Sequence, residues 1–204
     1  MKKLLKIIAL SLSLTLLLSF NSNDPKKIRV VIDAGHGGID FGATENGISE
    51  KDLTLSIINK IKSINTNENI ELFFTRNGDE VITLADRVQK INEINPDLVI
   101  SLHVNSIKNP TSNGAEVFIP KDLEHTKKSE EFAAKFLQIL TNKTSLLSNG
   151  IKTAPFFILK KSKCPVILAE IGYLSNHADR KIITSEENQD KVAQAVIEFI
   201  SQIK

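Results

Sequence analysis

Apolar residues recur along this chain in two alternating patterns, β-branched runs and stripes at helical spacing, which predict strands and helices in turn. Ile28 to Ala34 is a β-branched run that ends at Gly35-His36-Gly37-Gly38. Beyond a loop, Leu53, Ile57, Ile61 and Ile64 mark one face of a helix, with Ser49 as N-cap and Asp52 three residues on, the pattern of a capping box. Ile70 to Thr75 reads as the next strand. Thr83 and Asp86 repeat the capping pattern ahead of a helix whose buried side is Leu84, Val88, Ile91 and Ile94. Further strands are predicted at Asp97 to His103, Ala115 to Ile119, Phe156 to Leu159 and Val166 to Ala169. Phe132, Phe136 and Ile139 predict a helix over about 127–140, and Val192, Val196, Ile200 and Ile203 line one stripe of a terminal helix.

Strands that are nearly continuous in apolar character, alternating with amphipathic helices, call for a sheet covered on both faces. The expected fold is α/β: a three-layer sandwich with a twisted, mostly parallel mixed sheet and helices on both faces, spanning residues 27–204. The strand Ala115 to Ile119 is expected to run antiparallel. Its connection from the preceding strand is short and holds Pro110 and Gly114, whereas a parallel crossover needs about a dozen residues or more. With 204 residues and 41% hydrophobic side chains, the chain suits a single domain.

The first residues differ from the rest. Lys2, Lys3 and Lys6 precede the apolar run Ile7 to Phe20, the layout of a secretory signal. The run is shorter than the stretch of about 20 residues that usually spans a bilayer. Residues 1–24 are therefore expected to be a signal peptide or an N-terminal anchor, and the protein to be exported to the periplasm or beyond. An uncleaved segment would attach it to the inner membrane, the one membrane contact expected. Without residues 1–22 the balance of 26 basic and 24 acidic residues becomes 23 and 24, a net charge of −1. A nucleic-acid partner would require a basic excess, and none is expected. Cys164 stands alone in an apolar context and is expected to be buried.

Polar residues interrupt the scheme where apolar strands end. His36 follows Val30 to Ala34, His103 follows Leu98 to Leu102, and Glu170 follows Pro165 to Ala169. The carboxyl ends of parallel strands share one edge of an open α/β sheet, where ligand sites form. Glu50 starts the first helix, close behind the glycine loop. Two imidazoles and a carboxylate with an open fourth position suit catalytic zinc, and a further carboxylate can carry a proton. Plainer readings stand beside this one. A histidine at a strand end is usually a satisfied polar group, and a helix-start glutamate a favourable charge at the helix N-terminus. The glycine loop is either a tight turn or a phosphate cradle; it lacks the dinucleotide spacing G-x-G-x-x-G. His125 is expected at the surface, and His177, which follows Ser175-Asn176, is only a lesser candidate for the border of the site.

Specific motifs then narrow the choice. They are Asp33-Ala34-Gly35-His36-Gly37-Gly38; Gly47-Ile48-Ser49-Glu50-Lys51; Thr75-Arg76 with Asp79; and Leu84-Ala85-Asp86-Arg87. Ser101-Leu102-His103-Val104-Asn105, Gly114-Ala115-Glu116-Val117, and Val166 through Glu170 to Asn176 complete the set. In these, from Val30 to the terminal helix, the chain resembles the zinc-dependent N-acetylmuramoyl-L-alanine amidase family.

The resemblance implies that His36, Glu50 and His103 bind Zn2+ and that Glu170 is the catalytic carboxylate. A metal-activated water would attack the lactyl carbonyl of muramic acid, and Glu170 would pass the proton to the L-alanine nitrogen. The implied substrate is peptidoglycan or a muropeptide. Asn105 and Asn176 are candidates to position substrate or orient ligands, and Asp33 to hold His36 by its second ring nitrogen. Arg76 and Arg87 have a plainer role as anchoring ion pairs. Val104 and Tyr173 depart mildly from the family pattern. The stretch Lys121 to Gly150 is short beside members with a long inhibitory helix, so an uncovered site is expected. Wall binding would come from the groove itself or from a partner such as an activator protein, and a monomer is the expected state. Two other readings share the motifs: a zinc peptidase of the stem peptide, and a non-catalytic wall-binding domain.

Overall fold

The computed structural model describes residues 27–203, so the expected targeting segment at 1–24 lies outside the described residues. The chain opens with β1 (Ile28–Ala34), a small hairpin of β2 (Thr44–Glu45) and β3 (Ile48–Ser49), and α1 (Glu50–Ile64). β4 (Ile70–Phe74), α2 (Leu84–Ile94), β5 (Leu98–Asn105) and β6 (Ala115–Ile119) follow. Next come α3 (Thr126–Lys143), β7 (Ser148–Thr153), α4 (Phe157–Lys161) and β8 (Val166–Tyr173), and α5 (His177–Ile183) and α6 (Glu186–Ser201) close the domain. Six strands form one sheet in the order β4-β1-β5-β8-β6-β7. β4, β1, β5 and β8 are mutually parallel, whereas β6 runs antiparallel to β8 and carries β7 parallel to itself. This is the mixed, mostly parallel sheet expected. β6 does not pair with β5, however, because β8 inserts between them.

Strand alternation divides the core into two layers. Ile32, Ile100, Val117 and Ile167 face α1, α3 and α6 in the larger cluster, where the Phe199 ring packs against Phe132 and Phe136. Val31, Val99, Val166 and Leu168 face the other way, toward Val88 and Ile91 of α2 and Ile158 and Leu159 of α4. The central strands are buried on both faces, which explains their near-continuous apolar sequences. Cys164 sits in the smaller cluster, and its thiol is pushed up to about 12, first by burial and then by Asp97.

Local signals placed the helix starts well. Ser49 accepts from Asp52 N, and Thr83 accepts from Asp86 N at 3.1 Å. The return contact differs from a standard capping box: each Asp accepts from the cap hydroxyl rather than reaching the cap N–H. α2 ends at Asn95 in the left-handed conformation (φ 49°), followed by Pro96, which cannot extend a helix. The segment 156–159, expected as a strand, instead enters α4. Pro155 ends the extended run and Leu159-Lys160-Lys161, free of β-branching, favour a helix. The edge strand lies just before it as β7, whose two-sided exposure left no apolar alternation to read. No helix among the described residues is long and apolar enough to cross a membrane.

Candidate metal centre

β1 delivers the chain into a turn that most side chains avoid. His36 has φ 60°, Gly37 φ 133° and Gly38 φ 61°, and a Cβ is disfavoured in that region. Buried cations hold this turn by its carbonyls. Arg87 from α2 donates to Ala34 O at 2.7 Å and His36 O at 2.5 Å. Arg76 donates to Ala34 O at 3.2 Å and Gly35 O at 3.0 Å, and Lys51 to Gly38 O at 2.7 Å. Hydrogen bonds from charged donors are about twice as strong as neutral ones. Arg87 is itself paired with buried Asp33 at 2.6 Å, which also accepts from Ser101 and Thr75 hydroxyls at 2.6 Å. Burial alone would raise Asp33; Arg87, then Ser101 and Thr75, outweigh it and keep the carboxyl below the usual carboxylate range.

Glu50 is the first residue of α1, and its carboxylate is buried between two histidines. Oε1 accepts from His103 Nδ1 at 2.8 Å and Val104 N at 2.9 Å. Oε2 lies 3.0 Å from His36 Nε2 and accepts from Ala43 N at 2.9 Å. His36, Glu50 and His103 each offer a ligand atom, all within 4.8 Å of one another. The two rings meet edge to face, with centroids 5.1 Å apart. Glycine permits this closeness. A Cβ on Gly35 would come 2.5 Å from the His103 ring, and one on Gly42 2.5 Å from Glu50 Oε2.

The charges fit a cation. Burial disfavours an imidazolium at His36, yet the carboxylates of Glu50 and Asp40 outweigh it and raise the ring to about 9. His103 is raised against burial by Glu50 and Glu170. Glu50, despite burial, is driven far below the usual carboxylate range by the two histidines. Two imidazoles and one carboxylate form a donor set that zinc takes in catalytic sites.

Glu170 on β8 pairs directly with His103 on β5, and Glu116 on β6 pairs directly with Glu170. The three side chains therefore form one row across the sheet, on the face of α2 and α4. Like charges directly opposite on neighbouring strands repel, and the surroundings treat the two carboxylates differently. Glu116 accepts from Asn105 Nδ2 at 2.7 Å, the Tyr173 hydroxyl at 2.9 Å and Lys152 Nζ. Glu170 Oε2 is buried without a hydrogen-bond partner. Burial, opposed by His103 and reinforced by Glu50 and Glu116, pushes Glu170 up to about 7.

A cleft of about 520 Å³ opens over His36, His103 and Glu170, walled by apolar side chains including Ile39, Val81 and Phe157. None of its lining comes from residues 121–150, which form α3 and the start of β7.

Several side chains stand elsewhere than expected. Asp33 does not hold His36, because its oxygens are committed to Arg87, Ser101 and Thr75; Asp40 holds His36 Nδ1 instead, at 2.9 Å. Arg87 is a buried ion pair as expected, but Arg76 anchors the turn through carbonyls. Asn176 caps α5 and donates to Pro110 O. His177 is exposed on α5 and does not line the cleft. His125, expected at the surface, is half-buried at the start of α3. Asp40 and Glu116 were not read as site residues, although each carries a signal. Asp40 stands four residues from His36 in a glycine loop, and Glu116 is a charge inside an apolar strand.

Residues 30–202 match the family model described as N-acetylmuramoyl-L-alanine amidase. The uncharacterized protein YqiI of Bacillus subtilis is 33% identical over 98% of this chain and 97% of its own length. The probable cell wall amidase LytH of Staphylococcus saprophyticus is 33% identical over 87% of this chain, which spans 59% of that relative. Among solved structures, the catalytic domain of CwlV, an N-acetylmuramoyl-L-alanine amidase from Bacillus (Paenibacillus) polymyxa, superposes with a TM-score of 0.80. It shares 31% identity and the match covers 86% of this chain and 97% of that domain.

Two substitutions test how the site is supported. Asp33→Asn leaves Arg87 buried without its counter-charge and is expected to cost about 3–5 kcal/mol at pH 7 in urea unfolding. Because the native carboxyl titrates below its unfolded value, its stabilisation is present above pH ~4 and is lost as pH falls through the folded pKa, so the deficit shrinks in acid. Gly35→Ala drives a methyl into the His103 ring. Metal binding is expected to weaken by about tenfold or more, a displaced ligand costing at least what a lost supporting contact does; a chelator titration measures it.

Proposed function

The chain belongs to the N-acetylmuramoyl-L-alanine amidase family and is a zinc-dependent hydrolase of the N-acetylmuramic acid–L-alanine amide, and on that premise we propose how its residues divide the work. His36, Glu50 and His103 hold the zinc, and Glu170 moves the proton. The observation that carries this reading is the direct cross-strand pairing of Glu170 with His103, a member of the cluster, with a carboxylate oxygen left unpartnered.

Zinc bound by such a set supplies Lewis acidity, which acidifies water and polarises an amide carbonyl. The chain's own groups do the rest. The turn pinned by Arg87 and Arg76 presents His36, and Glu50 takes its place through Ala43 N and Val104 N. The Glu170 carboxylate accepts the proton of the attacking water as the new C–O bond forms at the lactyl carbonyl. It then gives that proton to the L-alanine nitrogen as the C–N bond breaks, and returns to its starting state. A group near pH 7 in affinity can do both. The apolar walls reduce competition from bulk water.

The basic head and apolar run of residues 1–24 support export, as a cleaved signal or as a retained anchor, with residues 27–204 as the catalytic domain. Substrate outside the cytoplasmic membrane agrees with that routing. The absence of any 121–150 residue from the cleft lining supports a site open without displacement of an inhibitory helix.

Digestion of purified sacculi followed by mass spectrometry tests the bond: stem peptides with a free L-alanine amine and bare glycan are expected, and cuts within the stem would overturn the assignment. Glu170→Gln is expected to keep stoichiometric zinc and lose about 10²–10⁴-fold in turnover, whereas His36→Ala loses zinc and turnover together. Since the ionised form is the base, kcat/KM is expected to rise with pH through about 7 in the wild type. The residual rate of Glu170→Gln is expected to lack that step.

A further inference from the structure

The turn after β1 carries a charged group that the proton chemistry does not use. Asp40 and Gly37 exchange both backbone hydrogen bonds, Gly37 N to Asp40 O at 2.9 Å and Asp40 N to Gly37 O at 3.1 Å. This closes Gly38-Ile39 into a small reversal and folds the Asp40 side chain back under His36. Its two oxygens divide their roles. Oδ1 accepts from Gly42 N at 3.1 Å, and Oδ2 meets His36 Nδ1 at 2.9 Å. Gly42 in turn lies so close to the cluster that a Cβ there would stand 2.5 Å from Glu50 Oε2 and 2.6 Å from the His36 ring. One carboxylate thus joins the closure of the loop to the seating of a histidine.

A carboxylate only accepts, so the ring nitrogen facing it must carry the proton. Nε2 faces a second carboxylate, Glu50, at 3.0 Å, so a cation entering between His36 and Glu50 would displace the Nε2 proton and take that lone pair while Nδ1 keeps donating to Asp40. We propose that Asp40 is a positioning residue that fixes the tautomer and ring orientation of His36 and so raises the affinity of the site for zinc. The inference rests on the reading of His36 as a zinc ligand. Asp33, three residues upstream and the nearer candidate by sequence position, is excluded by its own commitments to Arg87, Ser101 and Thr75. Asp40 is largely exposed, so its contribution comes from geometry and from the charge on one side of one ring, not from a buried field.

The test is a chelator-competition titration of zinc on the full-length protein, with Asp40→Ala, Asp40→Asn and His36→Ala, together with melting of each metal-free protein. An outer carboxylate on a ligand histidine is worth about 10–100-fold in metal affinity, and Asp40→Ala is expected to lose that much. Asp40→Asn keeps a carbonyl acceptor for Gly42 N. It is expected to melt like the wild type when metal-free, yet to bind zinc several-fold more weakly, because the amide supplies no charge behind the ring. Wild-type zinc affinity in Asp40→Asn would overturn the inference and leave Asp40 as a loop closure. Undiminished affinity in His36→Ala would instead remove the reading beneath it.

Discussion

The loop after β1 holds a histidine in a left-handed conformation with its carbonyls gripped by buried cations. Arg87, Arg76 and Lys51 are all buried, and each gives hydrogen bonds to Ala34, Gly35, His36 or Gly38. A guanidinium inside a protein is tolerated when its charge is paired and its donors are used. Asp33 provides the charge for Arg87, and the loop carbonyls use the donors. The same contacts therefore satisfy two costs together, the burial of the arginines and the unfavourable backbone at His36. Asp79 extends the arrangement by accepting from Gly38 N and Lys51 Nζ. Loss of Asp33 would release the helix α2 side of this brace and, with it, the backbone that presents the first ligand.

A second consequence concerns how one sheet face carries two neighbouring carboxylates with different chemistry. Glu116 and Glu170 are direct cross-strand partners. Glu116 is surrounded by donors from three strands: Asn105 of β5, Tyr173 of β8, and Lys152 of β7, with Asn149 of β7 at the longer distance of 3.5 Å. Glu170 has a buried oxygen without any, and burial pushes its carboxyl up to about 7. The Tyr173 hydroxyl is one of the donors that hold Glu116.

The metal cluster joins these two systems. Glu50 reaches it from the first turn of α1, where the cap at Ser49 fixes the helix start. His103 reaches it from the middle sheet, with Gly35 leaving room for its ring. Neither depends on a long loop, so the site is built on a strand and a helix start, while His36 and its supporting Asp40 come from a short braced turn.

The alternation of apolar strands with amphipathic helices, the caps at Ser49 and Thr83, and the polar residues just beyond β1 and in the carboxyl-terminal halves of β5 and β8 were all legible in the chain, because strand and helix periodicity and capping are short-range properties. The α/β class followed from them, and the grouping of His36, His103 and Glu170 followed from the shared strand edge, with Glu50 added from the helix start close behind the glycine loop. The extended run misassigned at Phe156 shows where such reasoning stops: a few apolar residues suit a strand or a helix turn equally, and Pro155 and packing on α2 decided. The insertion of β8 between β5 and β6 brought Glu116 beside Glu170, and no local pattern records which strands become neighbours. Nor does spacing show which acid backs His36. Asp33 is nearer a motif, but a buried arginine from a helix more than fifty residues away claims it, leaving Asp40 to the histidine. Partner choice among charged groups depends on three-dimensional competition for hydrogen bonds, and only the folded chain resolves it.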